Sequence, residues 1–427
     1  MRAQHNVVPN GPAKASTRPK RICMHVLGTA RVDARVIREA ATLVQAGYDV
    51  TIVDVEPEHR AREEMIHGVR IRHIVMPSWF VPTRVKPFFV FKAAWMTLRG
   101  ATAVTRVRAD SYHAHDENAL PACSIAARLR RKKLVFDAHE LPLTNPAITR
   151  WRTLTALSRN SLRRMLRRTS AVITVSPPIG VDLQQRYGGP PATLVRNIPV
   201  YHPPITSNRI RERLGFAETE RIALYQGYFL EDRQLDRLVR AARFLEPHHH
   251  IVLMGKGVMQ KKLEALINQE QVGDRVHIAP HAPYEELLEW TASADIGLVL
   301  YPLGYSPSVD MCLPNKLFEY LMAGLPVLAT PLQAVSALIT QYGVGRITAS
   351  LAPADLGQAI SEILGDDEAL ARYSANALAA TKQDLCWEQE KLHLLSLYDE
   401  VLGNASAQVK SAQGLTAGAA PVRISQP

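Results

Sequence analysis

Cysteine is scarce in this chain of 427 residues: Cys23, Cys123, Cys312 and Cys386 stand far apart, and none forms a C-x-x-C pair. That argues against a disulfide framework and a zinc ribbon and points to a reducing compartment. The dinucleotide fingerprint of three spaced glycines is missing too. The first apolar run leads into Gly28-Thr29-Ala30-Arg31-Val32-Asp33, with a single glycine, which argues against a nicotinamide dehydrogenase. No Asp-x-Asp occurs, so a divalent cation clamped to a diphosphate by paired carboxylates is not expected. The longest uncharged run, 320–345, has the length of a membrane span. But Gly324, Pro326, Pro331 and Gly343 divide it into helix end, strand and helix, so it reads as core. No apolar stretch followed by a cleavage site opens the chain, and the expectation is a cytoplasmic protein.

What is present is a regular alternation. In the front half, apolar runs at Ile22–Leu27, Val50–Val55, Val69–Val75, Ser111–Ala114, Leu134–Asp137 and Ala171–Val175 read as buried strands separated by helical stretches. The rear half repeats the scheme with Ile222–Gln226, Ile251–Met254, Val276–Ile278, Ile296–Leu300 and Val327–Ala329. Its helices are expected near 233–243, 258–269, 284–292 and 315–323. Strands alternating with helices mean parallel βαβ sheets. The expected fold is α/β, two Rossmann-like doubly wound domains facing a cleft. A front domain is expected over 20–200 and a rear domain over 205–385, joined at the proline-rich 199–208. The tails 1–19 and 404–427 are small and polar and read as frayed.

Ligands of such sheets bind beyond the carboxyl ends of the strands, so those ends carry the chemistry. In front, Gly28 could admit a ligand closely, an ordinary tight turn being the competing reading. Asp33 is placed to cap a helix that ends at Gly47. His113-Ala114-His115-Asp116 and Asp137-Ala138-His139-Glu140 end neighbouring strands. Behind, Pro314 suits the first helical position, and the amides after it, with Asn315, Lys316 and Leu317, offer a diphosphate a helix N-terminus and a cation. Glu319 shares a face with Asn315 and could accept a ribose diol; a weak surface pair with Lys316 is the competing reading. Asp232 would cap a second helix, placing Arg233 for bidentate phosphate contact. Gly227 and Gly255 would allow close approach of a ligand.

Taken in order, these motifs resemble the retaining glycosyltransferases of family 4, which have the GT-B fold. The resemblance rests on Asp33-x-Arg35-Val36, both histidine-bearing strand ends, Arg196-Asn197, Tyr225-Gln226-Gly227 and Arg233-x-Leu235. It extends to Pro314-Asn315-Lys316-Leu317-Phe318-Glu319-Tyr320 and Ala323-Gly324-Leu325-Pro326-Val327. It implies a nucleotide-sugar donor in the rear domain, held by Arg233 and Lys316 at the diphosphate and Glu319 at the ribose. His115 would lie near the reacting carbon, and the acceptor would meet Asp33, Arg35, His139 and Glu140. It implies no metal and no further cofactor, and a last helix, 387–402, that returns to the front domain. One departure is clear: where the family often has a first glutamate, this chain has Met311, with Asp310 or the backbone of 306–313 as substitutes.

Charge is unevenly spread. Residues 20–200 hold 29 Lys/Arg against 14 Asp/Glu, and residues 201–427 hold 19 against 26. Two stretches lack acid altogether: 79–100, with Trp79, Phe80, Phe88, Phe89, Phe91 and Trp95 among its cations, and 150–168, with seven arginines. Aromatic bulk beside cations fits an anionic membrane surface, and hence a lipid-linked or polysaccharide acceptor. A solvated basic helix over buried aromatics is the competing reading. Two rivals are a nucleotide-sugar epimerase of the same fold and a nucleic-acid-binding protein, the latter disfavoured because no recognition motif accompanies the arginines.

Overall fold

The computed structural model describes residues 18–56, 62–75, 85–144 and 149–403. The tails 1–17 and 404–427, and Trp79, Phe80 and Arg84 of the acid-free stretch, lie outside them.

The front sheet has eight strands: β1 (Arg21–His25), β2 (Asp49–Glu56), β3 (Glu63–Ile66), β4 (Val69–Val75), β5 (Ser111–His115), β6 (Lys133–Ala138), β7 (Ala171–Thr174) and β8 (Ala192–Leu194). They run in the order β3-β4-β2-β1-β5-β6-β7-β8, parallel except for β3. The rear sheet has six: β9 (Arg221–Tyr228), β10 (His249–Lys256), β11 (Val276–Ala279), β12 (Ile296–Val299), β13 (Val327–Ala329) and β14 (Gly345–Ile347). Their order, β11-β10-β9-β12-β13-β14, is all parallel. Each sheet reverses its winding beside its first strand, between β1 and β5 and between β9 and β12, and such a switch point opens a crevice at the carboxyl ends. The fold is therefore two Rossmann-like α/β domains.

Buried parallel strands need apolar faces on both sides, and the central strands supply them: Ile22, Cys23 and Met24 in front, and Ile222, Ala223 and Leu224 behind, are at most 1% exposed. The run 320–345 is divided as its glycines and prolines dictate, into the end of a helix (Asn315–Met322), β13, and a helix (Gln333–Tyr342). Among the described residues no helix is long and apolar enough to cross a membrane.

The last helix, Trp387–Leu402, leaves the rear domain and packs in front, where Trp387, Leu394 and Tyr398 join the core around Ile22, Met24 and Val36. Trp387 Nε1 donates to Thr42 Oγ1 at 3.0 Å, and Arg196 meets Glu390 at 2.6 Å, both side chains nearly inaccessible.

Candidate functional site

The carboxyl ends of the two sheets face each other across a cavity of about 860 Å3. Its rear wall is built around β9. Gln226 closes the buried part of that strand, its amide taken by Tyr320 Oη at 2.9 Å, and its side chain donates to the Glu319 carboxylate while accepting from Thr291 Oγ1 at 2.9 Å. Glu319 is thus oriented by Gln226 rather than by a surface pair with Lys316. Burial raises its pKa, opposed by the Gln226 hydrogen bond and the Lys316 charge.

Lys316 points its ammonium at aromatic faces: Nζ lies 3.9 Å from the Tyr225 ring centroid and 5.6 Å from that of Tyr301. Arg233 stacks on Tyr301 as well, 4.7 Å from its centroid. Burial, then repulsion from Arg233, brings the Lys316 pKa down to about 7, with Glu319 opposing. Arg233 lies 3.7 Å from Asp232, whereas Lys316 has no carboxylate within 4 Å among the described residues. Arg233 and Lys316 thus bring two basic groups to one ring, Tyr301.

Glycines make room for this arrangement. At Gly227, with φ +139°, an added Cβ would stand 3.3 Å from Lys316 Nζ. At Gly255 it would stand 1.9 Å from the Gly227 carbonyl oxygen, an impossible approach, so only glycine lets β10 lie this close to β9 there. Both border the cavity.

Several positions differ from the sequence reading. Pro314 is the cap rather than the first turn, and the helix starts at Asn315. The Leu317 amide is taken by the Pro314 carbonyl at 3.0 Å and its side chain is core, so neither faces a ligand. Asp232 caps nothing: a short 3-10 turn covers Glu231–Arg233, and the α-helix begins at Leu235 behind Gln234 in a left-handed conformation. Arg233 therefore reaches the cavity from the end of that 3-10 turn. Gly28 does not line the cavity, and a Cβ there would meet nothing. Asp310 holds the Gln333 amide at 3.2 Å, and the Met311 carbonyl accepts from Ser176 Oγ at 2.6 Å. Neither side chain lines the cavity; Ser306, Ser308 and Cys312 of that segment do.

The front wall holds the other surprise. His115 is wholly buried and does not border the cavity; His139 does. The His115 ring stacks on His113 with centroids 4.3 Å apart, and its Nδ1 lies 3.1 Å from His139 Nε2. All three rings surround the buried Asp137, whose carboxylate is clamped by Arg35 through Nε at 3.1 Å and Nη2 at 2.9 Å. Desolvation works against the charged Asp137, but Arg35 and then His139 outweigh it and hold the carboxyl well below its usual range. Burial likewise opposes charge on His139. Asp137 at 3.1 Å and Asp116 at 3.5 Å prevail and bring its pKa up to about 9. Arg35 borders the cavity, but its guanidinium is spent on Asp137, Glu39 and the Val195 carbonyl, so it is a scaffold for His139 rather than a free acceptor contact. Asp33 accepts from the Arg35 and Val36 amides, both at 3.1 Å, and with Glu140 lies on the cavity edge. Across the gap, Asn197 donates to Asn315 at 3.0 Å.

Two groups of the described residues could gather metal-ligand atoms within 4.8 Å: Glu39, His113, His115 and Asp137, and Asp54, Glu56 and His73. In the first the Arg35 guanidinium already provides the cation, and neither group is centred on the cavity. Tyr301, which stacks on both cations, was not singled out by the sequence. Its signal was its position just beyond the end of β12.

Comparison with known proteins agrees with this architecture. A family model described as Glycosyltransferase Family 4 matches residues 32–199, and one described as Glycosyl transferases group 1 matches residues 206–379. A D-inositol 3-phosphate glycosyltransferase of Xylanimonas cellulosilytica is 25% identical over 228 residues, 51% of this chain and 52% of that protein. The chain spans about half the length of such curated relatives. Among solved structures, sucrose-phosphate synthase from Thermosynechococcus elongatus superposes with a TM-score of 0.71 at 16% identity, over 90% of this chain and 99% of that one. Anabaena HepE in complex with UDP superposes with 0.67 at 15%, over 89% and 100%. With one family match on each sheet and the cleft between them, the chain belongs to the family 4-like glycosyltransferases of the GT-B fold.

Proposed function

We propose that this protein moves a sugar from a nucleoside diphosphate sugar to a lipid-linked or glycan acceptor, without a metal and with retention of anomeric configuration. The observation that carries the donor half is the pair Arg233 and Lys316, two cations on one aromatic ring at the mouth of a helix, with no carboxylate within 4 Å of Lys316 among the described residues. An anionic ligand relieves their repulsion, and the leading amides of the helix from Asn315 add donors that its own backbone cannot satisfy. Glu319, held by Gln226, is the acceptor for a ribose diol. The UDP seen in HepE is consistent with this reading of the ligand.

In such a site the departing diphosphate gains its stabilisation from fixed positive groups already oriented before reaction. Arg233 and Lys316 do so from the rear, and the His139 imidazolium adds positive charge from the front wall. The rate would come largely from holding acceptor and sugar together on the face that the nucleotide leaves. Carboxylates at the cavity, Asp33, Glu140 and Glu319, come from three separate segments rather than a metal-clamping pair.

The test is calorimetric titration with UDP. Glu319→Ala and Arg233→Ala are each expected to weaken binding about tenfold or more while melting as the parent does, since a charged hydrogen bond is worth about 1.5–3 kcal/mol. Unchanged affinity in both variants would overturn the donor assignment. Incubation with radiolabelled nucleotide-sugars and membrane extract then separates transfer from epimer formation.

A further inference from the structure

Beside the catalytic cleft lies a second, apolar cavity of about 700 Å3, which none of the donor chemistry uses. It sits between two long helices of the front domain, Lys86–Arg106 and Arg152–Leu166, over the helix Asp116–Arg130. Phe89, Met96, Leu143, Leu154, Leu157 and Met165 give it its character. We propose that this groove is a hydrocarbon-chain site, which seats the tail of the sugar acceptor and leads its head group into the cleft. The proposal rests on the transferase reading above and names the chemistry of its acceptor: a single long hydrocarbon chain ending in a phosphate ester.

Three observations carry it. First, the groove and the cleft are neighbours along the chain: Leu143 lines the groove and Thr144, the next residue, lines the cleft. Leu143 is held there at a price in backbone strain. Its φ is +59°, a left-handed conformation that a bulky side chain rarely adopts, and its amide donates to the half-buried Glu117 carboxylate at 2.7 Å. Burial, opposed by the Leu143 amide, pushes the Glu117 pKa up to about 7, so the one acid among the described groove-lining residues is about half neutral at that pH.

Second, the charge of the walls complements a phosphate head on an anionic surface. The two helices carry Lys86, Lys92, Arg99 and Arg106, and Arg152, Arg159, Arg163 and Arg164, and no acid. Third, the outer side of the first helix is apolar where a soluble helix is polar. Phe88, Phe91 and Leu98 are 52%, 62% and 63% exposed, and Leu157 on the facing helix is 66% exposed. A groove opening beside such side chains would open toward acyl chains rather than water. Its volume is that of a small-molecule pocket, too small for a protein segment with side chains of its own and adequate for one extended chain.

The probe is dodecyl phosphate, titrated against the full-length protein below its micellar concentration. Binding is expected for the parent, and neither inorganic phosphate nor UDP should displace it. Ala93→Trp fills the groove from an exposed position, and Leu154→Arg places a charge in it. Each is expected to weaken dodecyl phosphate by about tenfold or more, because an unpaired charge or lost volume in an apolar site is costly. UDP affinity should stay at the parental value in both, and an unchanged calorimetric melting profile reports that the front domain of the variants is folded. Absence of dodecyl phosphate binding, or binding that survives both substitutions, overturns the groove while leaving the donor site standing. Loss of UDP binding by the parent protein would instead remove the transferase reading on which the groove depends.

Discussion

Lys316 is the residue whose chemistry the fold has altered in the most testable way. Buried against Tyr225 and Tyr301 and facing Arg233, it has a pKa brought down to about 7, so about half the free protein carries it neutral at that pH. A bound diphosphate favours the ammonium and raises the pKa, so nucleotide binding takes up a proton. The sign follows. The Lys316 contribution is full only well below 7, where the free ammonium is already charged, and affinity falls as pH rises through about 7 toward 8.5, because the proton must then be taken from solvent. The upper limit of the window is set by His139, which has lost half its own charge near 9. Calorimetry with UDP across that window in two buffers of different ionisation enthalpy measures the proton directly. Lys316→Arg, always charged, should abolish the slope, and a parental affinity flat from 7 to 8.5 would refute the linkage. The residues of this donor site were legible in the sequence because a helix start, a lysine and a glutamate fall at fixed offsets. His139 against His115 was not. Which of two strand-end rings turns to the gap depends on how both pack on Asp137, and that carboxylate is fixed by Arg35, 102 residues away.

At the scale of elements, the strands that could be read were the apolar ones, and the ones that were missed say why. β3 is Glu-Glu-Met-Ile, an antiparallel edge strand with exposed side chains, and β8 and β14 have three residues each. β3 has no fully buried side chain of its own, and three residues are too few to display an alternation, so such strands are read from their neighbours rather than from their own pattern. The helix Lys86–Arg106 shows the opposite failing of pattern. Its sequence reads as a helix, but its apolar residues surround it instead of forming one stripe, so periodicity does not say which face is buried. The structure leaves Phe88 and Phe91 outward beside cations, and this orientation makes a prediction for the element. Vesicles containing anionic lipid should float the protein, and neutral vesicles should not. Raising salt should release it, since the attraction acts within a Debye length. Phe88→Ser with Phe91→Ser should reduce flotation several-fold without changing the melting temperature. Equal recovery with neutral and anionic vesicles, or none with either, would exclude surface attachment of this helix.

For the molecule as a whole, the two sheets were foreseeable from alternating patterns, but the strap that joins them was not visible as a set of contacts. The resemblance gave the last helix its destination; the anchors come from the fold. Arg196, just past β8, donates its own amide and its guanidinium to Glu390 on that helix, each at 2.6 Å, and its Nη2 meets Asp384 at 3.2 Å. The Glu390 side chain is 0% exposed, so the pair has to be judged against the cost of stranding a charge. Removing the Arg196 side chain leaves the buried Glu390 carboxylate with the residue-196 amide but without its countercharge, which is expected to cost about 3–5 kcal/mol. Removing both partners relieves that penalty. A double-mutant cycle of Arg196→Met and Glu390→Leu, followed by urea unfolding, should therefore show the double variant distinctly more stable than the sum of the singles. Because the helix ties the rear domain's chain end to the front core, Arg196→Met should also let the two domains melt apart. One calorimetric peak in the parent should become two, with UDP shifting only the later-melting rear one or bringing the pair together. Additive energies and a single peak in every variant would mean that the apolar contacts of Trp387, Leu394 and Tyr398 fasten the strap without help from the buried pair.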